Sequence, residues 1–383
     1  MTTILARRAG LLALGVLLAI AVPAHARTLP VPSDFPTVQG AVNAAAPGDV
    51  VRVAPGTYVE EVVIDKSIEL RGTGADATSI KAPASLTPYA THLPDGRAVT
   101  AIVRVGNGAR VRMSGLTVRG PIPCGIEVSG VNVFQAATLQ LSDARVTGIQ
   151  ADPSSCSAQD AAGRAIVYGL PPHIVSGGIH GSTAYGRIAH VTVDHYQHAG
   201  ISATGPASGE PSRVTITDDV IAGGWTLPSF QYGIDISAAA VVRIADNNIA
   251  GNICGGPFCG PDPIEQIQGA GIVIESAFPG TTVTNNRITS NDVGVYQIAS
   301  PDCCEIAGNA LTNNRFFGIV IQDGDGTTSG NSIRGGQIGI GVVADAVDTT
   351  GLLRGDRITG TSAAPIREIE CCGFTATAIV KGR

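Results

Sequence analysis

Two carboxylates offer the first chemistry in this chain. Asp235 closes the string FQYGID at 230–235, and Glu275 closes GIVIE at 271–275. A pair of carboxyl groups can divide acid and base work, one donating a proton while the other activates water, provided their surroundings hold the two pKa values apart. Near them in sequence stand His180, the pair His195 and His198 in DHYQHAGI, and the sole tryptophan, Trp225, with Phe230 and Tyr232 in GWTLPSFQY. Rings beside charged groups suit a sugar, whose C–H faces pack on aromatics while its hydroxyls bond to polar groups. His195 and His198 are three residues apart without a Cys or carboxylate cluster to complete a tetrahedral set, so no metal site is read, and His198 is a reserve general base.

Elements that could position these groups announce themselves by repetition. A Gly followed by Ile or Val recurs as GIEVS at Gly125, GISAT at Gly200, GIDIS at Gly233, GIVIE at Gly271, GVYQI at Gly294, GIVIQ at Gly318 and GIGVV at Gly339, with GIHGS at Gly178 as a looser copy. From Gly271 onward the intervals are 23, 24 and 21 residues. Between these marks lies a second signature, two apolar residues five apart enclosing polar ones, as in Ile216 to Ile221, Ile244 to Ile249, Val283 to Ile288, Ile306 to Leu311 and Leu353 to Ile358. Asp219, Asn247, Asn286, Asn309 and Asp356 stand two positions before each closing residue, and Asn331 matches them. Stacked coils would align these side chains into one ladder at a turn, where Asn and Asp tolerate left-handed backbone and can bond to the next coil.

Coils of this length with short strands and polar turns predict a solenoid of parallel strands. The pattern resembles the right-handed parallel β-helix of the pectin-lyase-like superfamily, which implies an all-β chain of about 11–12 coils. The segment from Thr37 to Gly74, TVQGAVNAAAPGDVVRVAPGTYVEEVVIDKSIELRGTG, is similar to the N-terminal segment of pectin methylesterases and other secreted β-helix proteins. Val38, Ala41, Val42 and Ala45 have helical spacing, so Thr37 to Ala46 predicts an N-terminal helix that caps the open end of the solenoid. The expected division is a leader over 1–26, a cap over 27–49 and a single β-helix domain over 50–383.

Resemblance to individual enzymes is shorter. YGID resembles the opening of the alginate epimerase motif, but Ile236 and Ser237 replace the Pro and His that follow there. Val193-Asp194-His195 resembles a string in pectate lyases, without their arginine motif, and Asp218-Asp219 resembles polygalacturonases, without their Gly-His-Gly and Arg-Ile-Lys. The aspartate and glutamine motifs of the methylesterases have no counterpart.

Alternation along each Gly-Ile strand points the Ile inward and the next residue outward. That rule gives Glu127, His180, Ser202, Asp235 and Tyr296 as outward groups, with Ser129, Ser237, Glu275 and Gln322 two residues further on. The expected catalytic set is therefore Asp235, Glu275 and His180, and the expected substrate-binding set is Trp225, Tyr232, Tyr296, Gln322 and Glu127. No Lys or Arg occupies these positions, so a lyase acting on a uronate would call for calcium, and no other cofactor is expected. Extra residues at Gln150 to Ser176, Gly224 to Phe230 and Asn252 to Gln268 each precede a Gly-Ile strand, which predicts loops gathered on one edge, where solenoids build binding faces. Two functions fit: a polysaccharide hydrolase, lyase or epimerase working in a groove on the outer face, or a non-catalytic β-helix that binds glycan or a partner.

Eight cysteines permit complete pairing in an oxidising compartment. Cys124 with Cys156 and Cys254 with Cys259 would tie loops to the solenoid. The doublets Cys303-Cys304 and Cys371-Cys372 occupy the same site three coils apart, about 14 Å, too far to cross-pair. Each doublet bridges within itself, stays free, or meets its counterpart through a folded-back tail. Arg7 and Arg8, the apolar run Leu11 to Val22 and Ala24-His25-Ala26 have the pattern of an export signal, so secretion with cleavage before Arg27 is expected. Against 25 basic residues stand 31 acidic ones, which disfavours nucleic acid, and no second apolar run suggests a membrane span. A polysaccharide partner and a monomer are expected.

Overall fold

The computed structural model describes residues 26–93, 95–124, 127–151, 162–224, 230–300 and 303–382. All but the last residue of the expected leader, together with Gly125, Cys156 and Trp225, lie outside the described residues. Three sheets run along the molecule, with 14, 13 and 11 strands among those residues, all parallel except at one end of the first, where Ala90–His92, Leu170–Ser176 and Ile179–Ser182 pair antiparallel. A coil visits them in turn, as when Tyr232–Ser237 lies in the first sheet, Ala240–Ala245 in the second and Asn248–Ala250 in the third before Ala270–Glu275 returns to the first. Inward Val, Ile and Leu side chains from all three sheets merge into one apolar core that reaches from Leu29 to Leu353. The helix forms over Val38–Ala44, N-capped by the Thr37 hydroxyl, and buries Val38, Ala41 and Val42 against that core.

Glycine in the Gly-Ile strands has a packing reason. A β-carbon on Gly233 would stand 2.5 Å from the Gly271 carbonyl oxygen and 2.7 Å from Ile249, and Gly271, Gly294 and Gly318 each meet the same obstruction from the next glycine in the column. The strand is pressed against its successor at that point, so no side chain fits there.

The ladder forms at the turn from the second sheet to the third. Asn247 Oδ1 accepts from the Asp219 N–H at 3.0 Å, Asn286 Oδ1 from the Asn247 N–H at 3.0 Å, Asn309 Oδ1 from the Asn286 N–H at 2.9 Å and Asn331 Oδ1 from the Asn309 N–H at 2.9 Å, with Asp356 closing the series at 2.8 Å. Each amide nitrogen donates back to a carbonyl of the preceding coil, as Asn247 does to Ile216. The left-handed residue is the one before each ladder position: Asp218, Asp246, Asn285, Gly308, Gly330 and Gly355 have φ between 57° and 65°. A second, shorter ladder of Asn252, Asn291 and Asn314 runs along the turn from the third sheet to the first, and the Tyr196 hydroxyl donates to its Asn252 end.

Two strings that look like rungs are something else. GIHGS forms one arm of a hairpin: Leu170–Ser176 pairs antiparallel with Ile179–Ser182 and with Ala90–His92 at the edge of the first sheet. His180 is exposed on that arm, opposite Val175. The true rung of this coil is Ala162–Tyr168, where Ala165 takes the place of the glycine. GIEVS is also displaced: in Glu127–Val133 the corner glycine is Gly130, and Asn132, not Glu127, shares the column that leads to Asp235.

Each cysteine doublet is bridged within itself, Cys303 to Cys304 and Cys371 to Cys372, and Cys254 is bridged to Cys259. Cys124 is disulfide-bonded.

Asp219 ends the longer ladder without an amide. Its Oδ1 accepts from the Val191 N–H at 2.7 Å, while its Oδ2 is buried without a hydrogen-bond partner. Burial pushes this carboxyl up to about 7 from 3.8. A folded-state pKa above the unfolded one contributes stability that is complete below pH 4 and lost as pH rises to about 7. Asp219→Asn restores the amide, so thermal melts from pH 4 to 8 should show the variant gaining on the parent as pH rises, by roughly 2–4 kcal/mol at neutrality.

Candidate functional site

The outer face of the first sheet carries the site. One column of outward side chains runs Ser129, Arg164, Ala199, Tyr232, Ala270, and a second runs Asn132, Val167, Ser202, Asp235, Val273. A third holds Ser237 and Glu275. Asp235 and Glu275 therefore sit on neighbouring coils, offset by two residues, roughly 8 Å apart by strand geometry.

A basic group is present after all. Arg164 projects from the rung Ala162–Tyr168 and forms an ion pair with Glu127 at the head of the preceding strand. Because that rung has Ala165 where the others have glycine, the repeat pattern conceals it. Glu127, Arg164, Ser202 and Asp235 line the floor of a cleft, and Leu170, Pro171 and His173 of the hairpin form its roof. The hairpin histidine that reaches the cleft is His173; His180 does not line it.

The electrostatics of the floor oppose one another. Burial raises the Asp235 carboxyl above its ordinary value; the Arg164 charge pulls it down, the Glu275 charge pushes it up, and the Ser202 hydroxyl donates to Oδ2 at 3.3 Å. Desolvation and the same Arg164 charge hold His198 down to about 3, so its imidazole is neutral near pH 7. His198, Phe230 and Tyr232 pack as an aromatic cluster with ring centroids 4.9 to 5.7 Å apart. Burial also raises the Tyr232 phenol above its usual range.

The cleft encloses about 70 Å³. With a water's share of liquid volume at about 30 Å³, it admits a group the size of a carboxylate or hydroxymethyl, not a pyranose ring. A sugar would lie across the mouth, with one substituent directed at Arg164.

Tyr296 and Gln322 lie apart from this cleft. The Tyr296 hydroxyl bonds to Gln322 and to the Pro263 carbonyl, and both side chains are buried beneath the loop that spans 252–268. Here Val273, Tyr296, Phe317 and Val320 form a small apolar cluster on the outer face, with Ile264 of the loop packed against it. The loop thus occupies the C-terminal part of the sheet face, and the cleft is left to the middle coils. His195 is exposed at the third sheet and bonds to Asp194, so it does not share a site with His198.

Residues 177–350 match the family model described as the right handed beta helix region. Over that region and beyond it the chain has the fold of a right-handed parallel β-helix. Among solved β-helices it is similar to the mannuronan C-5 epimerase A-module of Azotobacter vinelandii, with 16% identity, a TM-score of 0.55 and coverage of 90% of this chain and 95% of that one. It is similar to the lacto-N-biosidase of Eubacterium ramulus, with 12% identity, a TM-score of 0.57 and coverage of 88% of this chain and 64% of that one. The DFA-IIIase of Arthrobacter chlorophenolicus gives 14% identity, a TM-score of 0.51 and coverage of 92% and 94%. No curated protein matches the β-helix by sequence. No helix among the described residues is long and apolar enough to cross a membrane.

Arg164 governs both titrating neighbours in the same direction. Replacing it by Met removes a charge that lowers Asp235 and His198 alike, so NMR titration of the Arg164→Met variant should find both pKa values raised relative to the parent.

Proposed function

We propose that this β-helix is a secreted carbohydrate-active enzyme that cleaves an acidic polysaccharide across the mouth of the Arg164–Asp235 cleft. The observation that carries the reading is the pairing of a raised, half-buried carboxyl, Asp235, with a guanidinium at the bottom of a cleft sized for one acidic substituent. Arg164, oriented by Glu127, receives the carboxylate of the sugar. Asp235, whose proton desolvation holds more tightly than in a free carboxyl, donates it to the leaving glycosidic oxygen, and the exposed Glu275 on the next coil activates the attacking water. A separation of roughly 8 Å leaves room for that water, as inversion requires. Tyr232, two coils beyond Arg164 in the same outward column and packed on Phe230, would give the sugar chain a ring to rest on beyond the cleft. Carbohydrate enzymes among the similar β-helices support the class of activity and leave the reaction to be decided by this site.

Elimination is the second reading, favoured by one observation: the Arg164 guanidinium lines the cleft beside Asp235, where it can face a uronate carboxylate. In that version Arg164 does the work that the sequence alone would assign to calcium, neutralising the uronate while a base removes the proton beside it.

The purified protein should release oligosaccharides from an acidic polysaccharide, and Asp235→Asn should lower the rate by 10²–10⁴-fold. Mass spectrometry of the products separates the chemistries, since hydrolysis adds one water and elimination leaves an unsaturated end. Absence of product from acidic and neutral polysaccharides alike would sink the enzyme and leave a glycan-binding β-helix.

A further inference from the structure

The second sheet carries a charge pattern that the cleft does not use. On five consecutive strands one outward column reads Arg112, Gln140, Arg187, Thr215, Arg243. The column two residues earlier reads Arg110, Thr138, Tyr185, Arg213, Val241, and the column two residues later Ser114, Ser142, Ala189, Thr217, Ala245. All five arginines are exposed, no acidic residue stands in these three columns, and none of the five joins an ion pair among the described residues. Arg112 donates to Gln140 and Arg187 to Thr217, both at 3.3 Å, and both partners are neutral, although the Arg187 charge also acts on the buried Asp219 carboxyl. Acidic groups bound the strip: Glu69 at one end, Glu305 at the other, and Asp143, Asp218 and Asp246 along the turn into the third sheet.

A chain of net charge −6 that gathers five unpaired arginines on one flat face presents a segregated field, and like charges held on neighbouring coils repel until an anion joins them. The N-terminal end of the strip is concave, a groove of about 280 Å³ lined by Arg110, Arg112, Thr138 and Gln140, with Glu69, itself ion-paired to Arg71, at its far edge. We infer that this strip is a binding face for an extended anionic polysaccharide, separate from the cleft on the first sheet. Arg112, Arg187 and Arg243 recur on every second coil, about 10 Å apart along the axis. That spacing fits a polymer with one acidic group on a given side at every second sugar. Nucleic acid fits less well, because its phosphates follow one another at about 3.4 Å per strand and the acidic rows at the strip's edges would repel a backbone of that charge density. Between the arginines, Thr138, Gln140 and Thr215 offer hydrogen bonds to hydroxyls, and Tyr185 offers a ring face.

Isothermal titration of the full chain with polygalacturonate, neutral dextran and a single-stranded oligonucleotide, in low and high salt, tests the strip. Arg112→Gln/Arg187→Gln/Arg243→Gln should weaken polygalacturonate binding at least tenfold and flatten its salt dependence, with an unchanged melting temperature because all three side chains are exposed. Arg164→Gln and Asp235→Asn, which alter only the cleft, should keep the strip's share of the affinity, and turnover of short oligosaccharides by the triple variant should equal the parent's. Polygalacturonate binding that the triple variant retains in full, no binding by the parent, or a preference for the oligonucleotide would each overturn the inference.

Discussion

Buried amides fix the step between coils, and everything on the surface inherits that step. Each ladder residue in the central coils is 1–2% exposed and accepts the N–H of the coil before it, so a slip in register would strand a polar group in the core. An unmade bond of this kind costs about 1–3 kcal/mol, and several would be lost together. The left-handed residue ahead of each amide turns the chain at the same point in every coil, which aligns the strands of all three sheets. Columns of outward side chains follow directly, and both functional proposals are statements about such columns.

Two columns of the first sheet meet different surroundings along their length. Toward the C-terminus the loop 252–268, tied by Cys254–Cys259 and held by Asp292, which accepts from the N–H groups of Cys254 and Gly269, covers an apolar stretch. Toward the N-terminus the hairpin Leu170–Ser182 covers a polar one. Between these covers the sheet holds a carboxyl raised by burial, and a guanidinium keeps that rise in check.

The solenoid, its apolar core and the amide ladder were legible because each depends on a residue type recurring at one spacing. Gly-Ile strings also located Asp235 and Glu275 on adjacent coils. Arg164 was not legible, because its rung substitutes Ala165 for glycine, and the hairpin string GIHGS nearby imitates the missing rung. The same imitation put His180 in the parallel column of the coils, although it stands on the antiparallel hairpin at the sheet's edge. Tyr296 and Gln322 have the right register for the site but lie under a loop, and burial by a distant segment leaves no mark in local spacing. The arginine strip was not legible for a related reason: its arginines belong to no motif, and only the register of the second sheet makes them neighbours.

Whether a sugar acid occupies the cleft decides the account most directly. Crystals of the Asp235→Asn variant soaked with an acidic oligosaccharide should show a carboxylate bonded to Arg164 and the scissile oxygen facing position 235. An oligosaccharide bound only along the second sheet, with Arg164 still engaged by Glu127 alone, would contradict the assignment of the cleft.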